Sequence, residues 1–226
     1  MKKVLVAIMA MFCSMSSFAQ YSSGGFSLDE ENIYWGVRFG MTAASLSGDL
    51  DASSKVGMTL AGIVGLRPSD NTPVFIESGL YYTERGGKNG GPYTGVRNNE
   101  GKVGSVSRVG YNILEIPLTI KYGLKVSDQI AVLPFFGPYF SYAISGKTKQ
   151  TVKGTTESES VGTFDEKKAC HGGLNRASMG LKLGVGAEYN KIYLELGYQF
   201  GITNIAKEEN FSGRSNAFFA NIGVNL

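Results

Sequence analysis

The chain has 226 residues, of which 42% are hydrophobic, 12% aromatic and only 18% charged, with 31 glycines and a formal net charge of +3. So little charge and so many aromatics exclude a disordered chain, and glycines without a G-X-Y period exclude collagen. No apolar run after the N-terminus reaches the roughly 18 residues that a membrane helix needs.

Residues 1–19 read as a secretory signal peptide. Lys2 and Lys3 precede an unbroken apolar run over 4–12, and small residues follow, with Ser17 and Ala19 placed for a cut before Gln20. Cys13 follows Phe12 rather than a small residue, which argues against lipid attachment. Cleavage removes Lys2 and Lys3 and lowers the formal net charge to +1, so no basic surplus remains to suggest nucleic-acid binding. It also removes one of the two cysteines, and Cys170 alone cannot form an internal disulfide.

Residues 20–33 are polar and read as a flexible lead-in. From 34 to 226 the chain shows period-two alternation, the signature of strands with one apolar face. The first run has Trp35, Val37, Phe39 and Met41 on its apolar face, and the second has Val56, Met58, Leu60 and Val64. The third has Ile76, Leu80 and Tyr82, and the fourth runs from Leu114 through Ile116, Leu118 and Ile120 to Tyr122. Phe136, Phe140 and Tyr142 mark the fifth, and Met179, Leu181, Leu183 and Val185 the sixth. Ile192, Leu194, Leu196, Tyr198 and Phe200 mark the seventh, and Phe218, Ile222, Val224 and Leu226 the eighth. Eight strands of about ten residues suit a closed antiparallel barrel that crosses a bilayer at a tilt.

The connections alternate in length. Segments 45–54, 86–110, 145–176 and 204–215 read as long loops; 68–72, 123–129 and 190–191 read as short turns. In an up-and-down barrel this places all long loops on one rim, as in outer-membrane barrels. The last strand is then expected to close against the first, with both termini on the short-turn rim.

Alternation does not say which face is inside, because a lipocalin-type barrel alternates too. The apolar face carries roughly forty large side chains, more than an eight-stranded lumen can hold, so it should face lipid. The other face is glycine and charge: Arg38, Lys55, Glu77, Glu115, Lys121, Lys182, Glu188 and Glu195. These eight are the candidate lumen network, cations and carboxylates that pair inside a narrow barrel. Trp35, Tyr81, Tyr82, Tyr122, Tyr142, Tyr189 and Tyr198 lie near strand ends and are expected to form interfacial girdles.

Residues 111–122 read YNILEIPLTIKY and resemble the YLEIPLLLKY strand of the PorT-like outer-membrane barrels of Bacteroidota. Residues 135–139, 184–188, 194–198 and 201–204 are similar to later stretches of the same family. The resemblance implies an outer-membrane β-barrel and does not carry over the secretion role of the founding member.

Little points to chemistry. His171, beside Cys170, offers too few ligands for a metal, and a hydrolase would need His and Ser on membrane-embedded strand ends with a supporting acid, whereas no neighbouring serine precedes His171 and the nearest on the strand is Ser178. The glycines at 86, 87, 90 and 91 lack the P-loop pattern, Gly184 and Gly186 lie in a strand rather than before a helix, and the 210–212 sequon is uninformative in a bacterial chain. No catalytic, cofactor or metal site is expected. The reading is an all-β, eight-stranded, up-and-down transmembrane barrel in the outer membrane: monomeric, plugged, in contact with outer-membrane lipid, and meeting an extracellular partner through its long loops. A narrow channel, a secretion-associated barrel, a membrane-embedded hydrolase and a soluble lipocalin-like binder are the alternatives.

Overall fold

A computed structural model of the protein describes residues 33–49, 52–68, 72–88, 103–127, 129–152, 158–169, 173–207 and 212–226. The expected signal peptide and nearly all of the expected lead-in, Cys170, His171 and Asn210 lie outside them. Among the described residues there is no helix.

Ten strands form one sheet: β1 (Ile33–Gly48), β2 (Ala52–Leu66), β3 (Val74–Lys88), β4 (Val103–Tyr122), β5 (Leu124–Lys125), β6 (Ile130–Val152), β7 (Ser158–Gly162), β8 (Ala177–Tyr189), β9 (Ile192–Gly201) and β10 (Gly213–Asn225). Eight of them close an antiparallel barrel in which each pairs with its sequence neighbour, β4 pairs with β6, and β10 returns to β1. The closing seam is in register from Gly36 opposite Asn225 to Gly48 opposite Gly213. It ends in two backbone hydrogen bonds between Trp35 and Leu226, of 3.3 and 2.7 Å. Closure leaves no long edge, so the backbone of the barrel wall is satisfied between strands.

The two short strands stand apart from the wall. β5 pairs briefly with the start of β6 inside segment 123–129, and β7 folds back on the far end of β6.

The strands are longer than the alternation alone suggests. Segment 45–54 is not a long loop: β1 and β2 run into it and leave only 49–51 between them. Much of 86–110 and 145–176 is likewise strand, since β3 reaches Lys88, β4 begins at Val103 and β6 continues to Val152. The barrel wall therefore projects well beyond its apolar zone on this rim. On the opposite rim the β8–β9 connection is the two-residue turn Asn190–Lys191, both at positive φ (45° and 72°), with Tyr189 paired to Ile192. This is the type I′ hairpin that a right-twisted strand pair favours.

Alternation runs along most of each long strand and slips only at bulges, as at Ser53–Ser54 of β2 and Ile144–Ser145 of β6, so it still sorts the faces. Among the described residues, 35 large apolar or aromatic side chains are exposed, which is far more than water tolerates on a folded chain and suits a wall immersed in lipid. Trp35, Tyr82, Tyr122, Tyr142 and Tyr189 are on this outer face, as expected for girdles. Tyr81 is not: it is buried inside, on the opposite parity from its neighbours Leu80 and Tyr82. The β6–β8 ladder runs unbroken through Pro134 and Pro138, and both prolines point outward. The β4–β6 ladder shifts at three places, between Val103 and Ser105, between Val106 and Arg108, and between Asn112 and Ile113.

Candidate functional site

All eight expected network residues are buried within the barrel. They share it with aromatic rings, so the inner face is not glycine and charge alone. Tyr34, Phe75, Tyr81, Tyr111, Phe135, Tyr139, Tyr193 and Phe219 all point inward. Inward glycines make the room. A Cβ at Gly186 would lie 2.1 Å from the Tyr193 hydroxyl, and one at Gly184 would lie 2.7 Å from the Phe135 ring.

Toward the short-turn rim, Glu77 is a hub. It accepts a hydrogen bond from Tyr34 Oη at 2.8 Å and pairs with Lys121 Nζ at 2.8 Å and Arg38 at 3.6 Å. Arg38 donates to Asn225 Oδ1 at 2.6 Å, and Asn225 Nδ2 donates to Glu188 at 2.7 Å. Tyr193 lies under both cations: the Arg38 guanidinium is 4.1 Å and Lys121 Nζ 4.3 Å from its ring centroid, and Lys121 also donates to its hydroxyl at 2.8 Å. This places four of the eight, Arg38, Glu77, Lys121 and Glu188, in one connected group.

Above this group Lys182 faces Glu195 at 3.9 Å and lies over the Tyr81 and Phe219 rings at 4.2 and 4.5 Å. Asn221 Nδ2 donates to Glu195 at 2.6 Å. Glu115 pairs with none of the other seven. Its partners are Arg85, at 2.6 Å, and Gln199 Nε2, also at 2.6 Å, and Arg85 donates to Gln199 as well. Lys55 stands apart from the other seven and pairs with Glu84 at the edge of the wall.

Arg85, Glu84, Gln199, Asn221 and Asn225 are the members that the sequence reading misses. Arg85 was within reach, since it continues the inward parity of Glu77, Tyr81 and Thr83 up to the residue just before what reads as a glycine loop. Five buried cations (Arg38, Lys55, Arg85, Lys121 and Lys182) face four buried carboxylates (Glu77, Glu115, Glu188 and Glu195), and Glu84 supplies the fifth carboxylate. Among the described residues the buried cations are thus matched in number by carboxylates, one of them the 41% exposed Glu84 at the edge of the wall, which is how charges survive away from water.

The other end of the interior is apolar. Leu46, Val106, Val109, Tyr111 and Ile113 point inward and pack with Leu174, Ile205 and Ala206 from the connecting segments, with Phe164 against them. Backbone hydrogen bonds from Leu174 to Thr163 (3.0 Å) and from Asn175 to Ile205 (2.7 Å) hold these segments together. Among the described residues no group of three His, Cys, Asp or Glu side chains could hold a metal ion.

Residues 18–207, most of the chain, match the family model described as outer membrane protein beta-barrel domain. No curated protein matches the sequence. Solved structures of small outer-membrane barrels are similar in fold. Neisserial surface protein A is 18% identical, with 86% of this chain and 99% of that one covered and a TM-score of 0.44. A major outer membrane protein from Thermus thermophilus is 14% identical, with coverage of 87% and 100% and a TM-score of 0.47. The attachment invasion locus protein Ail of Yersinia pestis is 12% identical, with coverage of 87% and 100% and a TM-score of 0.39.

Proposed function

Since this chain belongs to the outer membrane protein beta-barrel domain family, we propose that it is a non-catalytic, monomeric barrel with a closed lumen, whose projecting rim meets a partner outside the cell. The observation that carries this is the occupancy of the interior. Paired charges and rings fill one end, and the apolar cluster of Tyr111, Leu174 and Ile205 fills the other. An eight-stranded barrel has little room to begin with, and a balanced, hydrogen-bonded interior offers an ion neither space nor a field. The long-strand rim, with β7 folded back on β6, is the part left to present a surface. Lys2, Lys3 and the apolar run after them support export by a signal peptide cut after Ala19. The strand containing Glu115, Ile116 and Pro117 supports the PorT-like branch of Bacteroidota within the family.

Bilayer recording tests the closed lumen. The wild type, Glu115→Gln and Lys182→Met should all be silent. Conductance steps whose selectivity changes with either substitution would replace this reading with that of a narrow channel. A heat-dependent mobility shift in the outer-membrane fraction tests the location. Recovery from the soluble periplasm would overturn it.

A further inference from the structure

Closure satisfies the backbone of the wall wherever a residue has an N–H to give, and proline has none. Pro117 lies within β4, the strand that carries Glu115, and Pro134 and Pro138 lie on β6 beside it. Inside a sheet, proline is ordinarily confined to edge strands and bulges.

Each of the three marks an interruption. The β3–β4 ladder pairs Ser78 with Leu118 and resumes at Tyr81 with Glu115, so Gly79–Pro117 and Leu80–Ile116 are missing although the register does not change. The β4–β6 ladder pairs Pro117 with Tyr139 and resumes at Ile120 with Phe136, so Leu118–Pro138 and Thr119–Gly137 are missing in the same way. It stops at Lys121 opposite Phe135, just short of Pro134, and β5 resumes in that register with Leu124 opposite Val132. Two missing pairs at unchanged register are what the loss of one N–H produces. Pro117 cannot donate to the Gly79 carbonyl, nor Pro138 to the Leu118 carbonyl. The β6–β8 ladder is unbroken at Pro138 and the β4–β6 ladder at Pro117, so each proline costs one side only.

β4 therefore loses a rung on each side, at adjacent residues. Both losses fall in the apolar zone, where Ile116, Leu118, Phe136 and Phe140 are exposed around them. Hydrocarbon offers no water in place of the missing donors, so the wall is weakest here. One bond spans the β3–β4 gap: Ser78, at an outward position, donates its hydroxyl to the Pro117 carbonyl at 2.8 Å. The closing seam of β1 and β10, by contrast, is paired without a gap from Gly36 to Gly48.

Both ends of the lumen are filled, one by the Glu77 group and the other by the cluster of Tyr111, Leu174 and Ile205. Behind the weakened stretch, Glu115, Pro117 and Thr119 point inward.

We infer that β4 is a lateral gate: around Pro117 it parts from β3 and β6 while the rest of the barrel stays closed, Ser78 is its latch, and the lumen beside Glu115 is reached by apolar, lipid-borne molecules from the bilayer rather than through either rim. An opening onto lipid carries no ions, so the barrel stays electrically silent. The inference rests on the reading that the exposed apolar face lies in lipid.

Hydrogen exchange of the full chain in phosphatidylcholine nanodiscs, read by mass spectrometry, tests the gate. Amides of 113–121 should exchange at least about tenfold faster than those of 218–224 in the closing seam. Pro117→Ala with Pro138→Ala returns both donors and should slow 113–121 about tenfold. Ser78→Ala should speed it about threefold, and Pro68→Ala, in the β2–β3 turn, should leave it unchanged. Equal rates in the two stretches, or no slowing in the double variant, would overturn the gate. The route is read with Cys13→Ser and Cys170→Ser in place. Thr119→Cys should react with a maleimide carried on an acyl chain in the bilayer and not with a charged, water-soluble one; Thr42→Cys, buried on β1, should react with neither. Reaction of Thr119→Cys with the charged reagent, with neither reagent, or no faster than Thr42→Cys would overturn the lateral route. The heat-dependent mobility shift of the same samples reads the barrel separately. A shifted barrel with uniform exchange defeats this inference alone, whereas a chain absent from the outer-membrane fraction defeats the reading beneath it.

Discussion

Replacing Glu77 with Gln removes the one carboxylate that Arg38 and Lys121 share, deep in the interior. The two cations are 0% and 1% exposed, so water cannot take over. Removing one partner of a buried pair costs about 3–5 kcal/mol, because the remaining charge is stranded. Two features hold the expected loss near the lower end, about 3 kcal/mol. The Tyr193 ring stays within 4.3 Å of both cations, and Gln can still accept the Tyr34 hydroxyl proton.

The assay is urea unfolding in lipid vesicles, followed by the fluorescence of Trp35, the sole tryptophan. Glu188→Gln is the internal comparison. Glu188 is as buried as Glu77, yet it forms no ion pair within 4.0 Å among the described residues, and its Oε1 lacks a hydrogen-bond partner. That change should cost less than about 1 kcal/mol. Adding Lys121→Met to Glu77→Gln should recover at least half of the loss, since it removes one stranded cation. Equal losses for Glu77→Gln and Glu188→Gln would refute the reasoning, because burial rather than pairing would then set the cost.

Other perturbations read other parts of the molecule. Gly186→Val drives a side chain into the Tyr193 hydroxyl, which a Cβ alone would approach to 2.1 Å, and should cost about 1–3 kcal/mol in the same unfolding assay. Leu183→Arg places a charge on the lipid face in mid-belt and should destabilise by about 2–4 kcal/mol in vesicles, with a smaller effect for Tyr189→Arg at the rim. Lys191→Gly relieves a positive φ in the β8–β9 turn and should stabilise by about 0.5–1 kcal/mol, seen as a higher urea midpoint. At the other rim, the Ser212 backbone N–H and hydroxyl donate to Asp49 at 2.8 and 3.0 Å and hold its carboxyl below the usual carboxylate range. A lowered folded-state value means that the clamp is present above the ordinary carboxylate value and is lost as pH falls through the lowered one. Exchange of the Ser212 amide should therefore speed up only in strong acid, and Asp49→Ala should show the fast rate already at neutral pH.

What the sequence makes legible here is parity, and parity is legible because lipid and lumen make opposite demands on neighbouring residues. Leu194, Leu196 and Phe200 cannot trade places with Tyr193, Glu195 and Gln199 without reversing a whole strand, so eight strands and their inward charges can be read from alternation alone. The same rule, applied strictly, places Tyr81 inside between Leu80 and Tyr82; reading it as a girdle residue trusts residue type over parity. Strand ends are harder. Gly86 and Gly87 look like loop residues, yet one satisfies a backbone geometry and the other packs on Ala52 within a continuing ladder, and Arg85 is overlooked as a result. Pairing is harder still. Glu115 could meet any inward cation at its level of the lumen, and which one it meets depends on the stagger between strands, which no single strand encodes. The cationic row on the outer wall lies beyond parity for the same reason. Lys88, Arg108 and Lys149 belong to three strands, and only the register of the β3–β4 and β4–β6 ladders sets them side by side. Alternation thus tells which residues share a compartment, and stagger decides which of them touch; the candidate sites of this barrel, inside and out, are products of the second.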